Sequence, residues 1–162
     1  MKKKTNAARI LDGMNISYEL REYEVDENDL GAENVARKVG IPLHQVFKTL
    51  VACGDKTGVI MACVPGSTEL HLKMLATVSG NKKVEMIPLK EVQKVTGYIR
   101  GGVSPLGAKK QFPVYIEESA VQWSFIAVSA GIRGCQILLS PKDLVNVTKG
   151  QFCNIVRSME SQ

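Results

Sequence analysis

Residues 96 to 110 read TGYIRGGVSPLGAKK, with four glycines (Gly97, Gly101, Gly102, Gly107), one proline and two closing lysines. Glycine beside lysine is the material of phosphate-binding loops, where bare backbone N–H groups approach an anion that side chains would keep away. The nucleotide P-loop requires G-x-x-x-x-G-K-[ST]. Gly102 and Gly107 have that separation, but Ala108 stands at the lysine position, and Lys109 is followed by Lys110 rather than a hydroxyl residue. Pro113 then interrupts the helix that should follow. The stretch is therefore either a turn cluster or a loop whose backbone meets a ligand of another kind.

A second place for chemistry is Lys48, inside QVFKTLVAC. Strand periodicity turns Val46, Lys48 and Leu50 to one face. The lysine is then either a snorkelling side chain on an edge strand or a partly buried ammonium that needs an anionic partner. A third is SAGIRG, residues 129 to 134, between two apolar runs. It offers a hydroxyl (Ser129) and a guanidinium (Arg133) on a glycine turn, and it could equally be a hairpin with a polar tip. Lys48, the Gly101 loop and Ser129 all lie in or at the ends of expected strands, so they could converge.

Other chemistry is thin. The two histidines, His44 and His71, sit in no nucleophile motif and are expected at the surface; G-x-S-x-G is absent. The four cysteines show no C-x-x-C spacing, so no metal site is expected. Cys53, Cys63 and Cys135 lie in or beside apolar runs and are expected to be buried free thiols. The start of the chain is too polar for a signal peptide, and no apolar run is long enough to cross a membrane. A reduced, cytoplasmic setting is the expectation.

The elements that must position these residues fit one α/β domain spanning residues 1 to 162. A hydrophobic content of 44% and a charged content of 23% are ordinary for a globular chain. A net charge of +5 favours an anionic partner such as RNA without demanding one; Lys2, Lys3 and Lys4 read as a solvated terminus. Thr5 can cap a helix ending near Gly13, and Asn28 or Asp29 a second, GAENVARKVG, ending at Gly40. ISYELREYEV reads as a strand. QVFKTLVAC and GVIMACV form a hairpin, and Leu72 to Val78 a short helix. KVEMI is a strand, and Pro88 opens the helix LKEVQKVT. PVYIEE, SFIAVSA and CQILLS are three more strands. Ser140, Pro141 and Asp143 start a last helix, and QFCNIV adds a final strand. Helices scattered among strands, some joined by short turns, imply a mixed sheet rather than a regular doubly wound one.

Taken together and in order, VFKTLV, TGYIRGGVSPLG and VSAGIRG resemble the YbaK family of free-standing trans-editing deacylases, related to the editing domain inserted in bacterial prolyl-tRNA synthetases. The similarity runs from ISYELREYE to the final helix, and the Cys-tRNA(Pro) deacylase branch is the nearest match. The resemblance implies a barrel-like mixed sheet flanked by helices. It implies hydrolysis, without a cofactor, of the ester joining cysteine to the 3′ end of tRNA(Pro), with prolyl-tRNA synthetase as a possible partner. By the same resemblance Lys48, Gly101 and Ser129 are catalytic. Tyr23, Leu30, Gly102 and Ser104 would surround the substrate, together with Gly131, Arg133 and Gln136. Relatives can carry an acid where Gln136 stands and an aromatic where Leu30 stands, both positions that could line the aminoacyl pocket. For cysteine the substrate brings its own nucleophile, which suits a chain without a triad. The alternatives are the same reaction on another misacylated tRNA such as Ala-tRNA(Pro), a non-catalytic tRNA- or synthetase-binding module, and a small-ligand binder.

Overall fold

A computed structural model describes residues 5–158. Lys2, Lys3 and Lys4, expected as a solvated terminus, lie outside the described residues. Five α-helices accompany ten strands among them: α1 (Asn6–Gly13), α2 (Ala32–Val39), α3 (Leu72–Ser79), α4 (Leu89–Thr96) and α5 (Pro141–Thr148). The strands are β1 (Glu19–Glu22), β2 (Phe47–Gly54), β3 (Gly58–Pro65), β4 (Thr68–Leu70), β5 (Val84–Met86), β6 (Val114–Glu117), β7 (Ile126–Ser129), β8 (Cys135–Leu139), β9 (Gln151–Cys153) and β10 (Val156–Ser158).

Local chemistry accounts for most helix ends. The Thr5 hydroxyl accepts the Ala8 N–H and Ser140 that of Asp143, with Pro141 opening the helix. His71 caps α3 through Nδ1, which accepts from Met74. The expected cap of α2 by Asn28 or Asp29 is not found: Gly31 is the cap residue, and Asp29 accepts the Gly31 N–H one turn earlier. Two expected strands are shorter. ISYELREYEV contributes only Glu19–Glu22, and QFCNIV splits into β9 and β10.

The strands form three sheets. A mixed five-stranded sheet runs β5-β2-β3-β6-β9, an antiparallel three-stranded sheet runs β1-β8-β7, and β4 pairs with β10. The expected α/β class with a mixed sheet and flanking helices is the one observed, but the sheets do not close into a barrel. Alternation along the strands builds the layers. Phe47, Met61, Cys63 and Ile116 of the large sheet meet Ile126, Val128, Ile137 and Leu139 of the small one, with Leu11 and Leu144 from α1 and α5. The opposite face of the large sheet (Ala52, Ile60, Ala62, Val64) packs on Leu75 and Ala76 of α3. The outer face of the small sheet (Ala127, Leu138) packs on Val35, Ala36 and Val39 of α2.

One cysteine expectation changes. Cys63 and Cys135 are buried as expected, but Cys53, one residue from the hairpin turn, is exposed, and Cys153 is buried. Burial pushes the Cys63 thiol up to about 12 and the Cys153 thiol up to about 11, the latter with help from Glu117 and Glu118.

Strand β2 has an uneven edge. Along its whole length β3 occupies one side. On the other, β5 pairs with Ala52, Cys53 and Gly54, and β7 pairs through a single parallel bridge, Val46 with Ala127. Between these two neighbours, residues 47–50 face no ladder partner among the described residues, and a cavity opens there.

Candidate active site

The cavity measures about 340 Å³, within the roughly 300–1,000 Å³ usual for small-molecule sites. Six consecutive residues of the β2 segment, Val46 to Val51, line it, so it follows the strand's open edge rather than one face. Lys48 is half-buried, and its Nζ donates to the Thr68 carbonyl at 2.9 Å. Burial holds its ammonium below the ordinary lysine range, with Glu69 pulling partly the other way.

Facing β2 is the glycine-rich loop. Ile99, Arg100, Gly101 and Gly102 make a four-residue turn in which the Gly102 N–H donates to the Ile99 carbonyl at 2.9 Å. Gly101, third in the turn, has φ +86°. Glycine adopts that backbone at little cost and other residues do not, and a positive φ at this position marks a type II turn. The Gly102 N–H is thus committed to the turn, whereas the Gly101 N–H makes no hydrogen bond among the described residues. The loop is braced from behind. The Tyr98 hydroxyl donates to the Leu106 carbonyl, and burial raises its pKa to about 12. The Tyr98 ring also lies so close to Gly131 that a Cβ there would sit 2.9 Å from it.

Ser129 and Gln136 are direct partners across the β7–β8 ladder, so they project from the same face into the cavity. The Ser129 oxygen accepts the Gly131 N–H at 3.1 Å, leaving its own proton to donate. Gln136 is 5% exposed, and its Oε1 has no hydrogen-bond partner. A buried amide oxygen in that state normally awaits a partner.

Of the expected site residues, the fold therefore brings Lys48, Gly101, Ser129, Leu30 and Gln136 to one cavity. The others stand behind it. Gly102 and Ser104 are buried within the loop, the serine hydroxyl accepting the Leu106 N–H. Arg133 spends its Nε on the Arg100 carbonyl at 2.7 Å. Tyr23 lies just past β1, packed against the α2 cluster, with its N–H on the Gly134 carbonyl. Sequence reasoning missed Arg100, Thr49, Met86 and Leu89, which also line the cavity. Arg100 could have been found, since it sits inside the glycine loop itself. Among the described residues no His, Cys, Asp or Glu lines the cavity, and the charged side chains that do are the two cations Lys48 and Arg100.

The cavity thus sets two cations, a free backbone N–H and neutral donors together on a mixed α/β scaffold. The profile of the aminoacyl-tRNA editing domain matches residues 26–147, and the chain belongs to that family. EbsC of Enterococcus faecalis, named as a candidate Cys-tRNA(Pro)/Cys-tRNA(Cys) deacylase, is 52% identical over 152 residues, 94% of this chain and 93% of that protein. The proline–tRNA ligase of Thermosipho africanus is 33% identical over 78 residues, which are 48% of this chain and 14% of the ligase. A solved structure described as a candidate trans-editing enzyme for prolyl tRNA synthetase superposes with a TM-score of 0.80 at 24% identity, covering 96% of this chain and 100% of the other. That last likeness concerns the fold.

Proposed function

We propose that this protein is a trans-acting aminoacyl-tRNA deacylase, its residues 1 to 162 forming one domain, that removes cysteine from tRNA(Pro) in the cytoplasm after prolyl-tRNA synthetase has attached the wrong amino acid. The family, and the name borne by the 52% identical relative, support the reaction class and the substrate. The observation that carries the chemistry is the cavity wall: two cations and several neutral donors, with no carboxylate, imidazole or thiol to act as base or nucleophile. A site of that kind positions and desolvates a substrate that reacts with itself.

In this reading Lys48 and Arg100 hold the anionic 3′ end of the tRNA. The Gly101 N–H meets the ester oxygen and stabilises it as negative charge develops. Ser129 and Gln136 hold the aminoacyl group. The cysteinyl sulfur attacks the ester carbonyl, forming a C–S bond while the C–O bond to the ribose breaks. The thiol proton ends on the ribose oxygen, and cysteine leaves as a thiolactone. The protein's own Cys63 and Cys153 take no part, being neutral thiols away from the cavity.

The test is turnover on Cys-, Ser-, Ala- and Pro-tRNA(Pro) with one enzyme preparation. Fast release from Cys-tRNA and much slower release from Ser-tRNA, which has nearly the same shape but a poorer nucleophile, is the expected result. Equal rates would mean that water attacks. Preference for Ala-tRNA would reassign the substrate. Binding without release from any of them would make the protein a docking module for tRNA or synthetase.

A further inference from the structure

We propose that Arg133 is a positioning residue whose guanidinium locks the Arg100–Gly101 peptide in the orientation that turns the Gly101 N–H into the cavity. This rests on the deacylase reading, and it gives Arg133 a role different from direct contact with substrate.

The four-residue turn has two forms that differ by a flip of one peptide. In a type I turn the third residue has negative φ, and in a type II turn positive φ. Passing between them reverses the central peptide unit while the flanking hydrogen bond survives. Here the flanking bond runs from the Gly102 N–H to the Ile99 carbonyl, and the central peptide is Arg100–Gly101. Gly101 at φ +86° selects the second form. Glycine populates both signs of φ with ease, so Gly101 alone does not hold that choice.

Arg133 supplies the missing preference. Its Nε donates to the Arg100 carbonyl at 2.7 Å, a charge-assisted bond from the neighbouring β7–β8 turn. A Cβ added to Gly101 would lie 3.4 Å from that same Nε and 3.5 Å from the Arg133 Cγ, so the stem packs flat against the turn. No peptide in the described chain is cis. In a trans peptide the N–H points opposite to the C=O. Fixing the Arg100 carbonyl on Arg133, which does not line the cavity, therefore aims the Gly101 N–H away from Arg133; Gly101 does line the cavity. A cation on the carbonyl also polarises the peptide, which strengthens its N–H as a donor. Flipped, the same peptide would present a carbonyl oxygen to the developing oxyanion and repel it.

The experiment compares wild type, Arg133→Met, Arg133→Lys, Gly101→Ala and the Arg133→Met/Gly101→Ala double variant in steady-state release of cysteine from Cys-tRNA(Pro). A parallel arm records 15N-glycine NMR spectra of the same proteins. Arg133→Met keeps the packed stem and loses the donor. It should lower kcat by about 10- to 100-fold, approaching the loss seen when one oxyanion donor is removed, with KM little changed. Arg133→Lys should recover part of kcat, and the double variant should lose less than the product of the single losses. The Gly101 15N resonance, which responds to hydrogen bonding at the preceding carbonyl, should move in Arg133→Met more than those of glycines elsewhere. A salt-dependent rise in KM at unchanged kcat would make Arg133 an RNA contact and overturn the proposal, as would unchanged kinetics. If wild type releases cysteine from no tRNA, the deacylase reading fails separately. The NMR arm then still decides whether Arg133 holds the peptide: an unmoved Gly101 resonance overturns it.

Discussion

Lys48, proposed to hold the substrate, can be told apart from a lysine kept for stability. Its ammonium is half-buried, and burial lowers its pKa from the ordinary 10.5. Below the folded-state value both folded and unfolded chains carry the proton, and only the folded one bears the desolvation penalty. As pH rises through that value toward 10.5 the folded state sheds the proton first and gains stability. Lys48→Met should therefore raise Tm at pH 7, with the gain shrinking as pH approaches 10.5, while deacylation falls tens-fold through loss of a charged contact worth about 1.5–3 kcal/mol. Thermal melts across pH and single-turnover rates check both halves; a lowered Tm at pH 7 would make the lysine structural. The cysteines give a second check. Cys53 should be the one thiol that Ellman's reagent modifies rapidly in the native protein, with Cys63, Cys135 and Cys153 reacting only on unfolding. Modifying Cys53 should leave the deacylation rate intact, because Cys53 does not line the cavity. At this scale residue type and position at strand ends marked Lys48, the Gly101 loop and Ser129 as candidates that could converge, and they do line one cavity; Gln136 entered only through the family resemblance. Cys53 was not legible, because its exposure depends on where its strand outruns the layers packed on it.

Among the elements, the β2–β3 hairpin depends on one distant side chain. The buried Asn81 carbonyl accepts the N–H groups of Lys56 (2.8 Å) and Thr57 (3.0 Å), and its amide donates to Thr57 and Ser79. Asn81→Ala would leave the hairpin turn short of acceptors, at about 1–3 kcal/mol. A lowered urea midpoint with the deacylation rate retained is the expected outcome, since the cavity lies toward the other end of β2. The sequence announced helix starts well where the capping chemistry was local, as at Thr5 and at Ser140-Pro141. It hid β4, three residues whose ladder partner among the described residues is β10, far along the chain. It also hid Met86 and Leu89 as cavity residues. Their place follows from β5 pairing with the C-terminal end of β2, and nothing in the local pattern encodes that pairing.

For the whole molecule, a net charge of +5 over 162 residues gives a modest grip on a tRNA body. Cysteine on several different tRNA bodies should be released at similar rates, and affinity should fall with salt. Strong preference for the tRNA(Pro) body by the protein alone would contradict this, and prolyl-tRNA synthetase is the partner proposed to supply such a preference. The open edge of β2 bears on a different matter, self-association. A strand with bare N–H and C=O groups invites another strand to add to it and seed aggregates. Here β5 and the start of β7 flank residues 47–50 closely on either side, and the glycine loop roofs the gap. The unpaired run is thus limited to residues 47–50, which leaves little edge for a second strand to pair with. The recognition groove is thus also the fold's guard against sticking to its own copies. Widening it to admit a bulkier aminoacyl group should be measured by light scattering as well as by turnover.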